Sequence, residues 1–192
     1  GNFLIRARGQ LAARGLGVVL VDAPSDRQGE GGLVGARLAS THAAEIGLAV
    51  ATVRQRFGKP VWLVGTSNGT VSVAGAAAQL QGAQRPDGVV FTSSITQQTR
   101  RNASVFSASL ANYTGAALVV SHEGDGCRAT PAADAPRLLA ALAGARPKKL
   151  LTFNGGSPPR SDPCEAFSQH GFLGIEAQVM NAIADFILRP SN

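Results

Sequence analysis

The chain has 192 residues, 44% of them hydrophobic, which is typical of one globular domain and excludes a collagen-like or largely disordered chain. Its 18 Lys and Arg residues against 12 acidic ones give a net charge of +6, but the arginines are scattered and only 5% of residues are aromatic, so we expect no nucleic-acid partner. No stretch has the ~18 apolar residues that a membrane span needs, and none has the pattern of a signal peptide.

Short β-branched runs alternate along the chain with longer alanine-rich segments of helical spacing, which is the pattern of an α/β fold. The predicted elements in chain order are a helix at 3–14, a strand at 17–23, a helix at 37–57, a strand at 61–66, a helix at 70–81, strands at 88–93 and 116–121, a helix at 132–143, a strand at 149–153 and a helix at 172–188. We expect a mostly parallel sheet with helices on both faces, in one domain spanning residues 1–192.

Two of the helices have a clear inward stripe, and the first strand is apolar throughout. The strand at 17–23 is predicted to be buried on both faces. The helix at 37–57 ends before Gly58 and Pro60, and its predicted inward stripe is Ala39, Ala43, Ile46, Val50, Val53 and Phe57. The predicted buried face of the last helix is Phe172, Ile175, Val179, Ile183 and Phe186.

The segment Gly65-Thr66-Ser67-Asn68-Gly69 matches the pattern G-x-S-x-G where a strand ends and a helix begins. A nucleophile in such a turn has a strained backbone, and Gly65 and Gly69 are expected to let strand and helix approach closely. The turn would hold the oxygen of Ser67 at a helix N-terminus, where amide groups favour negative charge. The other interpretation is a glycine-bounded turn with a helix-capping serine.

A serine nucleophile needs a base, and the base needs an acidic partner. The chain has three histidines: His42 lies inside a predicted helix, His122 closes a strand, and His170 follows the last strand. We favour His170 as the base, because choosing His122 would leave His170 unexplained. The best candidate for the acid is Asp125, in a glycine-flanked segment just beyond the strand at 116–121.

In these motifs the sequence resembles the α/β-hydrolase family. In that family the nucleophile, the acid and the histidine follow one another in this order, each after a strand, as Ser67, Asp125 and His170 do here. His122-x-x-Asp125, followed by Thr130-Pro131, is similar to the acid loop of the family, and His170-Gly171-Phe172 is similar to its histidine loop. The resemblance covers residues 3–188.

The resemblance implies a serine hydrolase that cleaves a small ester-like substrate through an acyl-enzyme, with no cofactor and no metal. Several alternatives remain open. The acid could be Glu123, Asp162 or Glu165, because a triad acid is defined by geometry, and Asp125 could merely shape its turn. The protein could also be a non-catalytic binding protein that retains the fold, or a transferase that uses an alcohol in place of water.

The family builds its oxyanion hole from two backbone N–H groups. Asn68 is expected to provide one, and the second is expected from a loop upstream of the helix at 3–14, before Gly1. In the family an earlier strand lies between the strands that correspond to 17–23 and 61–66. We therefore expect an α/β-hydrolase fold that lacks its N-terminal strands in this chain, completed by a separate N-terminal segment.

The two cysteines lie in the loops assigned to catalysis, Cys127 two residues after Asp125 and Cys164 six residues before His170. A disulfide would tether these loops and would imply an oxidising compartment, such as a bacterial periplasm, or secretion. Two free, buried cysteines are the alternative. A metal site built from Cys127, Cys164, His122 and His170 lacks the paired ligand spacing of known sites.

The polar segment at 95–114 is predicted to form a short cap over the site. It contains Arg100 and Arg101, and if these face the pocket they would favour an acidic acyl group.

Overall fold

The computed structural model describes residues 2–99 and 103–191 of the chain. One sheet contains four parallel strands in the order β1 (Trp62–Ser67), β2 (Gly88–Ser94), β3 (Ala116–His122) and β4 (Lys148–Phe153). The α-helices among these residues are α1 (Phe3–Ala13), α2 (Ser40–Phe57), α3 (Asn68–Gln79), α4 (Ala135–Ala141) and α5 (Glu176–Leu188). The predicted α/β architecture with a parallel sheet is confirmed.

The two central strands bury both of their faces, as their continuous apolar sequence predicts. Successive side chains of a strand point to opposite faces of the sheet. Val89 and Phe91 of β2 therefore pack with α3 and α4 on one face, whereas Val90 packs with α1 and α5 on the other. Each face has a core of its own, and the sheet lies between two layers of helices.

Helix α2 packs against α3, on the face of the sheet that also carries α4. A Cβ on Gly47 would come within 2.8 Å of the side chain of Leu80, so the approach of the two helices depends on this glycine. The helix ends as predicted, with Gly58 in the left-handed conformation. The helix begins at Ser40 rather than at residue 37. The predicted burial of Ala39 and Phe57 is wrong, since both side chains are exposed. The reason is that only the middle turns of the helix contact α3.

The final helix begins four residues later than predicted. Phe172 has a φ of 54° and Gly174 a φ of 86°, which are left-handed conformations that an α-helix cannot contain. Phe172 is nevertheless fully buried against Phe3 of α1. The predicted helix at 132–143 is also shorter, because Ala132–Asp134 forms a 3₁₀ turn before α4 begins. The other elements that form differ from the prediction by at most two residues at either end.

The predicted strand at 17–23 does not form. Val19, Leu20 and Val21 are 54%, 55% and 65% exposed, so the expected burial on both faces is wrong. The physical reason is that a strand needs a hydrogen-bonding neighbour, and no described strand pairs with this segment. Within the described residues, β1 likewise has a strand only on its β2 side. The N-terminal segment expected to complete the sheet stays a prediction.

By length and composition, one helical stretch of the described chain could cross a membrane, Gln169–Leu188. Its apolar side chains Val179, Met180 and Ile183 are fully buried against the sheet and α1. That packing is what the core helix of an α/β domain shows.

A buried histidine links α2 to α3. His42 Nε2 lies 3.0 Å from Ser72 Oγ, which also accepts a hydrogen bond from Arg37 Nη1 at 2.9 Å. The other ring nitrogen, Nδ1, lies 3.5 Å from the carboxylate of Glu45. Burial, reinforced by the charge of Arg37, lowers the pKa of His42 although Glu45 acts to raise it.

We expect the protein to lose more stability than a His42→Gln variant as the pH falls from about 7 to about 5. The unfolded chain takes up the proton below an ordinary histidine pKa of about 6.5, before the folded state does. The resulting loss of stability begins there and is complete once the pH is below the folded-state pKa. Urea unfolding of both proteins at the two pH values measures the difference. An identical pH dependence in the two would contradict the expectation.

Candidate active site

The segment around Ser67 is a tight turn from β1 into α3. Ser67 ends the strand with φ 50° and ψ −125°, a conformation that costs a non-glycine residue about 1–3 kcal/mol. Hydrogen bonds hold the turn: Thr70 Oγ1 donates to the Ser67 carbonyl at 2.6 Å, and Thr92 Oγ1 donates to the Gly65 carbonyl at 3.0 Å. The geometry is that of a strained strand-to-helix turn at the carboxyl edge of the sheet.

The two glycines of the motif differ in their surroundings. A Cβ on Gly65 would lie 2.7 Å from the carbonyl oxygen of Gly69 and 2.8 Å from Val73 Cγ2. A Cβ on Gly69 would meet nothing within 4 Å. The prediction that both positions must be glycine for close packing therefore holds sterically at Gly65 only. The atoms that would crowd a Cβ on Gly65 belong to the backbone of Gly69 and to the side chain of Val73, whereas a Cβ on Gly69 itself has room.

The loops after β3 and β4 bring Asp125 and His170 into contact. Asp125 Oδ2 lies 3.0 Å from His170 Nδ1, and both side chains are nearly fully buried. The other carboxylate oxygen, Oδ1, accepts the N–H of Cys127 at 2.9 Å, and Thr130 Oγ1 donates to Oδ2 at 2.8 Å. A buried carboxylate needs such partners, and this one has three hydrogen bonds.

The histidine loop is fastened to the strand that neighbours the Ser67 turn. Ser93 Oγ donates a hydrogen bond of 2.8 Å to the carbonyl oxygen of His170, and the next residue, Ser94, is the register partner of Ser67. No hydrogen bond among the described residues joins the Ser67 hydroxyl to His170. The three side chains therefore lie at or after strand ends on one edge of the sheet, with Asp125 and His170 in contact.

Ser93 is a residue that the sequence-based prediction missed. It is 2% exposed and has a φ of 43°, and the register of β1 and β2 shifts beside it between Thr66 and Ser67. A strained non-glycine residue that holds a loop is a feature of functional sites. The run Thr92-Ser93-Ser94 does not by itself indicate this role for Ser93, because polar residues end many strands.

The rival base, His122, has both ring nitrogens engaged by backbone groups. Gly124 N–H donates to His122 Nδ1 at 2.9 Å, and Nε2 therefore donates to the Gly155 carbonyl at 3.0 Å. This arrangement joins the loop after β3 to the loop after β4. A histidine held in this way has no free nitrogen to accept a proton from a serine.

The rival acids are all exposed. Glu123 lies 3.4 Å from Asn154 Nδ2, and Asp162 and Glu165 are also at the surface. Of the four carboxylates considered, only Asp125 forms an ion pair with a histidine of the loop.

Cys127 and Cys164, which are 37 residues apart in the sequence, form a disulfide. It connects the loop of Asp125 to the loop that precedes His170. Cys127 is 3% exposed, whereas Cys164 is at the surface. Bonded sulfurs cannot act as thiolate ligands, so the alternative metal site with these cysteines is excluded. Within the described residues no other cluster of three potential ligands occurs.

The histidine loop also explains why a glycine follows His170. A Cβ on Gly171 would collide with the carbonyl oxygen of Ala166. Glycine at this position lets the chain fold tightly before α5 and brings His170 over the sheet edge.

The predicted cap at 95–114 is described only in part. Ile95, Val105, Leu110 and Tyr113 are buried in the core beside α3 and α4. Burial raises the pKa of Tyr113, so this phenol stays protonated. Arg100 and Arg101 lie outside the described residues, and the cap and its preference for an acidic acyl group stay predictions.

Solved structures with a similar fold exist, although no protein-family model and no curated protein sequence matches the chain. The esterase domain of a Rhodothermus marinus protein superposes with a TM-score of 0.62 at 11% identity, over 97% of this chain and 79% of that one. A cold-adapted esterase from an Arctic intertidal metagenomic library, in complex with PEG, gives 0.52 at 16% identity, over 96% and 76%. The fold of this chain is therefore similar to that of these two esterases. At such identities the likeness concerns the fold alone.

We expect Gly65→Ala and Gly69→Ala to differ in their effect on stability. The first forces a methyl group into the backbone of α3 and should cost about 1–3 kcal/mol. The second adds a methyl group in open space within a helix and should change stability by less than about 1 kcal/mol, in the favourable direction. Guanidinium unfolding of the two variants and the parent measures both values. Equal losses at both positions would contradict the asymmetry.

We expect the double variant Cys127→Ser with Cys164→Ser to be about 4 kcal/mol less stable than the oxidised parent on the chain-entropy model. Treating the parent with dithiothreitol should lower its thermal midpoint towards that of the double variant. The double variant is the control, since its midpoint should not respond to the reductant. A parent that is also insensitive after complete reduction, verified by thiol titration, would count against the tether.

Proposed function

We propose that the protein is a serine hydrolase that cleaves carboxylic esters through an acyl-enzyme, with Ser67 as nucleophile, His170 as base and Asp125 as its acidic partner. The main observation in support is the buried Asp125–His170 pair. Ser93, on the strand beside that of Ser67, holds the loop of His170 through a hydrogen bond to the His170 carbonyl. The esterase-like fold adds to it. His122 is engaged by backbone groups on both nitrogens, which leaves His170 as the base.

In the first half of the reaction Ser67 Oγ attacks the carbonyl carbon of the ester while its proton moves to His170 Nε2. The carbonyl electron pair moves onto the oxygen, which becomes an oxyanion. When the pair returns, the bond between the carbonyl carbon and the alkoxy oxygen breaks. His170 gives its proton to that oxygen, and the alcohol leaves. Asp125 stays ionised and stabilises the charged ring.

In the second half a water molecule takes the place of the alcohol. His170 Nε2 accepts a proton from this water as its oxygen attacks the acyl carbon. The bond from Ser67 Oγ to the acyl carbon then breaks, the proton returns to Ser67, and the carboxylic acid is released. If an alcohol attacked instead of water, the same groups would perform acyl transfer.

The oxyanion would form next to the N-terminus of α3. The N–H of Asn68 is the first backbone donor there, and the dipole of the 12-residue helix favours negative charge at this end. Asn68 is exposed at this end of the helix. We assign the Asn68 N–H as one of the two oxyanion donors.

We further propose that an added strand, from outside the described residues, pairs with the free side of β1 and carries the second oxyanion donor. Two observations support it. The segment with Val19, Leu20 and Val21 is apolar yet exposed, and β1 has a described partner only on its β2 side. Exposed apolar side chains and the open side of a strand both invite pairing with another strand.

The disulfide supports a location in an oxidising compartment. Disulfides persist in secreted and periplasmic proteins and are rare where thioredoxin and glutathione keep thiols reduced. We propose that the protein works in a bacterial periplasm or outside the cell, on a small ester substrate.

We expect a fluorophosphonate probe to label the protein and to leave Ser67→Ala unlabelled. The probe reacts with a serine oxygen that has an adjacent base, so labelling reports the activated nucleophile directly. Ser94→Ala is the matched control, because Ser94 is directly opposite Ser67 in the register of β1 and β2 and should keep the label. Labelling of Ser67→Ala to the level of the parent would sink the assignment.

The same proteins should be assayed on p-nitrophenyl esters of graded acyl length. The parent is expected to hydrolyse at least the short esters, and Ser67→Ala to fall to the rate of the uncatalysed reaction. Absence of both labelling and hydrolysis in a folded parent would favour the binding-protein alternative.

A further inference from the structure

A buried threonine touches both members of the Asp125–His170 pair. Thr130 is 3% exposed, and its hydroxyl oxygen lies 2.8 Å from Asp125 Oδ2 and 3.1 Å from His170 Nδ1. The third side of this triangle is the distance of 3.0 Å between Oδ2 and Nδ1. Three polar atoms from three side chains therefore contact one another in a site closed to bulk solvent.

The available protons permit one pattern of donors in this triangle. An ionised carboxylate only accepts hydrogen bonds, so Thr130 must donate its single hydroxyl proton to Asp125 Oδ2. Thr130 Oγ1 can then only accept from His170. Both neighbours of Nδ1 are acceptors, and the ring must carry its proton on Nδ1. The lone pair of Nε2 is left free, which is the form that can take a proton from a serine.

We propose that Thr130 is a positioning residue that holds the carboxylate of Asp125 in the orientation that receives the Nδ1 proton of neutral His170 and gives that proton a second acceptor. The link to ester hydrolysis rests on the proposed function, whereas the position of the proton on His170 is argued from the contacts in the triangle. Asp125 alone offers Nδ1 one acceptor, and Thr130 supplies a second while using its own proton to fix the carboxylate.

The surrounding loop is built so that Thr130 keeps this position. The N–H of Thr130 donates to the carbonyl of Cys127, whose own N–H binds Asp125 Oδ1. The carbonyl of the preceding residue, Ala129, accepts the N–H groups of Thr96 and Gln97 beyond the end of β2. Cys127 is fixed in turn by its disulfide to the histidine loop. These bonds hold the hydroxyl in place before any substrate arrives.

The decisive test is the protonation of the His170 ring in the absence of substrate. Long-range ¹H–¹⁵N spectra distinguish a protonated ring nitrogen from an unprotonated one, and the chain has only three histidines. Comparison with His42→Gln and His122→Gln identifies the signals of His170. The parent is expected to show its proton on Nδ1 alone, at a pH where the ring is neutral.

Thr130→Val removes the hydroxyl but keeps the branched shape, so Asp125 loses one of its three hydrogen bonds and Nδ1 loses its second acceptor. We expect the Nδ1 proton of His170 to stay on the ring but to exchange faster and to shift its resonance, and Thr130→Ser, which retains a hydroxyl, should restore the parent signal. Thr92→Val is the matched control: it also removes a buried threonine hydroxyl at this edge of the sheet, one that binds Gly65, and it should leave the His170 spectrum unchanged. A purely structural role for Thr130 would change stability in both valine variants and the ring in neither.

Two results would overturn the proposal. One is a parent ring with its proton on Nε2, and the other is a Thr130→Val ring whose Nδ1 proton has the same resonance and exchange rate as in the parent. If Thr130→Val does not fold, Thr130→Ala takes its place, because it removes the same hydroxyl with less crowding of the carboxylate.

The kinetic measurement separates this proposal from the proposed function. If the parent hydrolyses p-nitrophenyl esters, Thr130→Val should lower kcat about tenfold, the loss expected for one hydrogen bond to a charged group, with KM unchanged. Thr130→Ser should recover most of the rate. An unchanged kcat together with an altered ring would overturn the link to catalysis. A parent without activity, with the ring behaviour as expected, would reject the proposed function and leave the positioning role supported.

Discussion

The site depends on one buried contact between a carboxylate and an imidazole, on loops that are far apart in the sequence. Asp125 and His170 are 45 residues apart, and their contact requires the ends of β3 and β4 to be neighbours in a parallel sheet. Burying a carboxylate is costly unless its oxygens are satisfied, and the loop supplies the N–H of Cys127 and the hydroxyl of Thr130 in addition to the imidazole. The disulfide and the Ser93 contact then hold the two loops against the sheet.

Strain is concentrated beside that pair and not in the body of the fold. The described non-glycine residues with positive φ are Ser67, Ser93 and Phe172, and all three lie at the carboxyl ends of strands or in the histidine loop. Each is held by its surroundings: Ser67 by Thr70, Ser93 by the carbonyl of His170, and Phe172 by complete burial. The two cores on the faces of the sheet supply the stability against which such strain can persist.

The segment at 17–23 lacks the partner that its sequence pattern needs. Val19, Leu20 and Val21 are consecutive apolar residues, yet they are exposed in a segment that pairs with no described strand. A β-strand cannot satisfy its backbone alone, so a sequence with strong strand propensity stays irregular when no neighbour is available. β1 to β4, each paired with at least one described neighbour, do form, within one residue of their predicted bounds.

The sequence by itself determined the elements whose signals are local. Continuous apolar runs gave β1 to β4, helical spacing gave the middle of each helix, and Gly58 gave the end of α2. The G-x-S-x-G pattern predicted a turn from strand to helix at Ser67, and the positions of Cys127 and Cys164 allowed a disulfide. Only the tertiary structure decided that Gly69 has open space, that Phe57 is exposed, that His122 is engaged by backbone groups, and that Ser93 and Thr130 hold His170. These facts concern which atoms meet across long sequence separations, and a periodic pattern along the chain carries no information about such distances.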